Sequence, residues 1–216
     1  MTAFSRRTLS VIILVLILVI APSVGAWAES ITIDNYSFES PYTNWSSTGV
    51  VTGWVALPTN DGVQANKSWF FVSGGDGSQV AWIHTGGQLS QVVNATIQAG
   101  NIYTLSALVG TWVTSNLATY HVQLYDNTQN LVLAEVTGTP NIGSFETVST
   151  QYVANNPAYY GDALQIVLTN TGPSTEVYYD KITLTDPPAA VPIPPTVVLL
   201  GSSLVGLGMV RLRKRA

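Results

Sequence analysis

Hydrophobic and polar positions alternate along the middle of this chain. Tyr103, Leu105, Ala107 and Val109 fall on one face of an extended run, with Thr104, Ser106 and Trp112 on the other. Tyr120, Val122 and Leu124 alternate with His121, Gln123 and Tyr125, and Leu164, Ile166 and Leu168 flank Gln165 in the same way. Successive side chains of a strand point to opposite faces, so a period of two marks a strand with one face in a core. Runs rich in β-branched and aromatic residues predict strands at 31–38, 68–72, 79–83, 88–93, 102–113, 119–125, 131–136, 145–152, 163–169 and 177–184. Turn-forming clusters separate them: Gly74-Gly75-Asp76-Gly77, Gly86-Gly87, Gly100-Asn101, Asp126-Asn127 and Gly172-Pro173. No stretch carries a useful amphipathic helical period. Many short strands with regular turns predict an all-β protein, an antiparallel β-sandwich or a barrel.

The two ends break this pattern. Arg6 and Arg7 precede residues 11–21, which contain no polar residue, and Ala26-Trp27-Ala28 follows. A charged start, a short apolar middle and an A-x-A end predict a secretory signal peptide at 1–28. The alternative, a membrane anchor, needs roughly 20 apolar residues. Ser5-Arg6-Arg7-Thr8-Leu9 also resembles a twin-arginine export signal, a second reading because the core is so apolar. At the other end, the 19 residues 192–210 would span about 28 Å as a helix. Residues 196–210 are expected to form a single transmembrane helix, approached through a proline-rich linker at 187–195. The basic residues of 211–216 then stay on the cytoplasmic side. A buried core helix is the alternative, and it would leave that basic cluster awkwardly solvated. The globular domain is expected over 29–186.

Charge narrows the partners. All twelve carboxylates lie between residues 29 and 190, against two cations, Lys67 and Lys181, so the segment carries 2 − 12 = −10 while the whole chain carries −4. Such a surface repels phosphate backbones, which excludes nucleic acid as a natural partner. There is no cysteine, so a hydrophobic core must hold the domain together, with or without a metal.

Two resemblances add to this reading. Val191-Pro192-Ile193-Pro194-Pro195, then Leu199-Leu200-Gly201-Ser202, Gly206-Leu207-Gly208 and the Arg/Lys end resemble the PEP-CTERM sorting signal, in its Val-Pro-Leu-Pro variant. No Glu sits between the prolines, a departure from the commonest form. The resemblance implies a bacterial exported protein of the cell envelope or extracellular space. Signal peptidase and exosortase would be its processing enzymes, the membrane would hold its C-terminal helix before processing, and its setting would be exopolysaccharide and biofilm. Separately, Asn35-Tyr36-Ser37-Phe38-Glu39, Gly53-Trp54, Asp76-Gly77-Ser78-Gln79-Val80-Ala81-Trp82, Gly87-Gln88-Leu89-Ser90-Gln91, Ala99-Gly100-Asn101-Ile102-Tyr103 and Tyr179-Asp180-Lys181-Ile182-Thr183-Leu184 come in an order similar to jelly-roll carbohydrate-binding modules of the galactose-binding-like superfamily. That resemblance implies an antiparallel jelly-roll β-sandwich and one structural calcium ion at Glu39 and Asp180. Parity adds to it, since Asp180 shares a face with Ile182 and Leu184, and a carboxylate on a core-facing row needs a partner. The alternative for Asp180 is a set of backbone N–H groups or a Tyr hydroxyl.

Outward parity also groups Trp112, His121, Gln123, Tyr125 and Gln165 as a candidate carbohydrate-binding platform, because sugars stack on aromatic rings and bond to amides. The alternative is that these aromatics simply pack, as aromatics in sheets commonly do. Trp45, Trp54, Trp69 and Trp82 are expected as core or loop anchors, and His84 and His121 as surface or packing residues. There is no H-E-x-x-H or G-x-S-x-G motif. The expected protein is therefore not an enzyme but a glycan-interacting surface protein with extracellular polysaccharide as partner. A purely structural surface protein is the alternative, and a polysaccharide hydrolase a third reading.

Overall fold

The computed structural model describes residues 29–58, 61–66, 74–113, 118–173 and 176–187. The expected signal peptide (1–28), the strand at 68–72, the sorting motif Val191–Pro195, the membrane segment (196–210) and the basic tail (211–216) lie outside the described residues. Among the described residues, no helix is long and apolar enough to cross a membrane.

The described residues form an all-β sandwich of two antiparallel sheets. The strands in chain order are β1 (Ser30–Ile31), β2 (Ser46–Thr48), β3 (Val55–Leu57), β4 (Gly62–Ala65), β5 (Gln79–His84), β6 (Gln88–Thr96), β7 (Ile102–Gly110), β8 (Tyr120–Asp126), β9 (Leu131–Gly138), β10 (Phe145–Val153), β11 (Ala163–Asn170) and β12 (Glu176–Thr185). The seven-stranded sheet runs β10-β7-β12-β5-β4-β2, with β1 also paired to β12. The five-stranded sheet runs β3-β6-β11-β8-β9.

The alternation in β7, β8 and β11 works as expected. Tyr103, Leu105, Ala107 and Val109 meet Val122, Leu124, Leu164, Ile166 and Leu168 in one core between the sheets. Tyr179 joins them at full burial, and its hydroxyl donates to the Thr169 carbonyl across the sandwich at 2.6 Å. The polar tip of a core aromatic thus finds a partner on the opposite sheet, as a buried hydroxyl must.

The expected strand at 31–38 is corrected. Pairing stops at Ile31, and the chain turns through Asn35 (φ 49) and Phe38 (φ 55). Asn tolerates the left-handed region better than most residues. Here its side chain also donates to the Ser40 and Thr52 carbonyls and accepts from the Ser40 N–H. Two local bonds to Ser40 and one to Thr52 outweigh what a longer strand would gain. The turn delivers Phe38 into the core, 5.2 Å from Trp54 between ring centroids. Strands β2, β3 and β4 are three or four residues long, too short to show a period.

Replacing Ile166 by Ala should cost about 2–5 kcal/mol, because it opens a cavity in a strand paired on both sides. Replacing Val92, half-exposed on the next strand, by Thr should change stability by less than about 0.5 kcal/mol. Denaturant midpoints of the two variants check the contrast.

Candidate functional site

In β4, β5 and the first half of β12, the seven-stranded sheet is buried on both faces. In β5, Ala81 and Ile83 point into the main core, while Val80 and Trp82 point the other way and are buried there too. In β12, Val177 and Tyr179 point inward and Tyr178 outward, again at full burial. One register row crosses five strands as Gly62, Trp82, Tyr178, Gly110 and Phe145. Gly110 lets the neighbouring chain approach: a Cβ there would come within 2.8 Å of the Ser144 carbonyl and 3.2 Å of the Phe145 ring. Trp112, just past β7, stacks on Tyr178 at 6.2 Å and 13°. The result is an aromatic wall of Trp82, Trp112, Phe145 and Tyr178.

Acidic groups rim this wall. The Tyr178 hydroxyl donates to Glu176, and the His84 Nε2 lies 3.5 Å from the other Glu176 oxygen. Burial, with the Glu176 charge second, pushes the Tyr178 phenol far above its ordinary range, so it stays protonated. His84 itself meets Trp82 edge-on at 4.9 Å. Asp61 accepts the His84 backbone N–H at 2.9 Å, and its second oxygen has no hydrogen-bond partner among the described residues. Burial raises the Asp61 carboxyl to about 6, against the pull of the His84 and Gln88 backbone N–H groups.

Beside the wall lies the corner expected to hold calcium. Glu39 accepts from the Ser78 N–H and hydroxyl and from the Gln79 N–H. Asp180 accepts from the Asp76 and Lys181 N–H groups, and Lys181 pairs with Asp76 at 3.8 Å. The parity argument for Asp180 is corrected. Lys181 adopts φ 46, and the β12–β7 register shifts between Asp180 and Thr183. The bulge inserts one residue, so Asp180 shares its face with Glu176 and Tyr178, while Ile182 and Leu184 return to the core. Burial raises the Asp180 carboxyl to about 8, with the Asp76 and Glu39 charges adding to the rise. Among the described residues no three acidic or histidine side chains gather as a metal cluster. An ion here would therefore draw most of its six to eight oxygens from backbone carbonyls and water.

The five expected platform residues divide between the two sheets. His121, Gln123 and Tyr125 follow one another on the outer face of β8, and Gln165 pairs directly with Tyr125. There His121 bonds Glu135 and Thr171, Gln123 bonds Glu135, and Tyr125 bonds Asn130. Trp112 is not among them. It belongs to the other sheet, where its ring is committed to Tyr178.

The HpiC1-like family, described as HpiC1 cyclase, matches residues 29–185. The chain belongs to that family. A Stig cyclase, Fisc, from Fischerella sp. TAU, solved in complex with (3Z)-3-(1-methyl-2-pyrrolidinylidene)-3H-indole, superimposes with a TM-score of 0.65 at 24% identity, over 76% of this chain and 100% of that one. A cyclase from the same source in complex with 4-(1H-indol-3-yl)butan-2-one gives 0.64 at 24%, over the same shares. At this identity the likeness is one of fold. An arabinose-bound GH51 α-L-arabinofuranosidase gives 0.52 at 13%, over 75% of this chain and 27% of that one. No curated protein matches this chain.

Family membership corrects the expectations drawn from the resemblances. The domain is that of a cyclase family, not a PEP-CTERM surface protein with exosortase, biofilm and polysaccharide as its context, and the expectation of a non-enzyme falls with it. The wall and its rim were not singled out from sequence. Their signal was present in Val80-Ala81-Trp82-Ile83 and Val177-Tyr178-Tyr179, which are apolar at both parities. An unbroken apolar run marks a strand buried on both faces.

The two raised carboxyls set a pH dependence. Each holds its proton longer in the folded chain than in the unfolded chain, whose ordinary value is 3.8. Stability should therefore fall as pH rises from about 4, levelling near 6 for Asp61 and near 8 for Asp180. In chelator, the denaturation midpoint should be higher at pH 5 than at pH 8. Asp180→Asn should flatten the decline between pH 6 and 8, and an unchanged slope in that variant would reject the assignment.

Proposed function

We propose that this chain is a cyclase that closes a ring on a small indole-bearing substrate by carboxyl-assisted proton transfer, at the aromatic wall of the seven-stranded sheet. The observation that carries this reading is Glu176 set between Tyr178 and His84 at the edge of a buried aromatic surface, in a chain of a cyclase family. Cyclisation of this kind is an isomerisation. A proton added to one carbon of the substrate makes a second carbon electrophilic, a new carbon–carbon bond forms, and a proton is lost elsewhere. Product and substrate have the same composition.

Each requirement has a residue to meet it. Glu176 is partly exposed and abuts the wall, so it can both receive and deliver a proton. Tyr178 and His84 orient its two oxygens. The half-buried rings of Trp112 and Phe145, packed on Trp82 and Tyr178, offer the π-faces that would stabilise positive charge developing on carbon. Their burial also keeps water, a competing nucleophile, from the intermediate. A cyclisation that begins by expelling diphosphate suits this chain poorly, because residues 29–187 contain no Arg and two Lys.

In this reading the sandwich is a jelly roll over 29–186 and calcium at the Glu39–Asp180 corner is structural, tying the 74–79 loop to β12. Residues 1–28 serve as an export leader, supported by the charged start and A-x-A end.

Two outcomes test the reading. Incubated with an indole carrying an alkene side chain, the protein should give a product of unchanged mass that has lost the alkene signal by NMR. Glu176→Gln should reduce that turnover by about 100-fold or more while the fold persists by circular dichroism. For calcium, saturating ion at about 100 times its Kd should add about 2.7 kcal/mol of stability, lost in Glu39→Gln. An unmoved melting temperature on adding calcium would reject the ion.

A further inference from the structure

Three neighbouring strands of the five-stranded sheet bring together a hydroxyl, an imidazole and a carboxylate that the cyclase reading does not use. His121 on β8 lies directly opposite Thr137 on β9 and Thr169 on β11. Residues two places along those strands are its diagonal neighbours, within reach of long side chains. They are Glu135 on β9 and Thr171, whose N–H extends the ladder past the end of β11 by donating to the Thr119 carbonyl at 3.0 Å. His121 Nδ1 lies 2.5 Å from Glu135, and Nε2 lies 2.9 Å from the Thr171 hydroxyl. The Gln123 side-chain amide donates to the same Glu135 oxygen at 2.9 Å. The bond from His121, ahead of the one from Gln123, lowers the Glu135 carboxyl from its ordinary value against the opposing effect of burial. An ionised carboxylate has no proton to give, so Nδ1 carries one. In the neutral ring Nε2 is then the acceptor, and the Thr171 hydroxyl donates to it.

We propose that Thr171 is a nucleophile for acyl transfer, with His121 as its general base and Glu135 as the positioning residue that fixes the ring's tautomer. A hydroxyl, an imidazole and a carboxylate in that order activate an alcohol that is a weak nucleophile on its own. The Thr171 oxygen bonds to the acyl carbon and its proton passes to His121 Nε2. The leaving group departs with the bonding electron pair and takes that proton back from His121. Water then attacks the Thr171 ester by the same route, giving a carboxylic acid and the free hydroxyl. Thr171 is exposed, and the His121 and Glu135 side chains keep 23% and 33% of their surface, so a small ester reaches them from solvent. The Gly172 N–H, next along the chain, donates to Asn170 Oδ1 at 3.0 Å and is not free to hold an oxyanion. The matching substrate class is therefore one with a good leaving group, an aryl ester or a thioester, and not a peptide amide.

The probe is p-nitrophenyl acetate. Release of p-nitrophenol is read by absorbance. The acetylated residue is read by peptide mass mapping before and after hydroxylamine, which removes an acetyl ester and spares the amides formed on amines. The expected result is a hydroxylamine-labile acetyl group at Thr171, absent from Thr171→Ala and retained in Thr171→Ser. His121→Ala should slow that labelling by about 100-fold or more. Glu135→Gln should slow it by at least about tenfold and change the His121 tautomer read by NMR of the ring nitrogens, with native circular dichroism. A merely structural Glu135 would leave the tautomer as it is, and that outcome overturns its role. Release of p-nitrophenol at the parent rate by Thr171→Ala, with acetyl on His121, would make the imidazole the nucleophile and overturn the inference. Acetylation of Thr171 no faster than of the chain's other exposed threonines would overturn it too. Neither Glu176 nor the aromatic wall takes part, so either result leaves the cyclase reading standing.

Discussion

Strand β12 must serve two surfaces at once, and the rest of the molecule is arranged around that demand. Its inward side closes the core through Val177, Tyr179, Ile182 and Leu184. Its outward side carries Glu176, Tyr178 and Asp180. A regular strand could not place Asp180 outward and Ile182 inward, because period-two alternation puts residues 180 and 182 on the same face. The left-handed residue at Lys181 resolves the conflict by adding one residue to the count. The bulge therefore separates the part of β12 that builds a site from the part that only packs. Its cost is a strained non-glycine residue, offset by the N–H of Lys181 donating to Asp180.

The fold was largely legible from sequence because its long strands each show one clean period. In β7, β8 and β11 the inward rows were assigned correctly, since a single core decides which parity is apolar. Short strands failed for the same reason in reverse: β2, β3 and β4 hold too few residues for any alternation to emerge. The 31–38 segment failed because the side-chain bonds of Asn35 outcompete its β-branched neighbours, an effect no hydrophobic pattern records.

The site was less legible, and for a different reason. Parity assigns a residue to a face but does not say which sheet the face belongs to. Trp112 shared its parity with outward residues of the neighbouring run, yet it stands on the opposite sheet from His121 and Tyr125. A one-residue bulge then inverted the argument at Asp180, as any register slip must. Of the partners of Glu176, Tyr178 lies two residues along the same strand, but His84 comes from β5, and no local spacing joins it to Glu176.

The architecture by itself does not decide between a carbohydrate module and a cyclase, since the same sandwich carries either. What separates them physically is the state of the aromatic rings. A sugar platform needs ring faces open to water, so that a hydrated ligand can settle and leave. Here Trp82 is 4% exposed and Tyr178 is 0% exposed, and Trp112 lies flat against the latter. Rings buried against one another offer no such open face and exclude water. A carboxyl at the edge of such a surface is costly to leave charged and unpaired. Glu176, at that edge, is paired on both oxygens, with the Tyr178 hydroxyl and with His84.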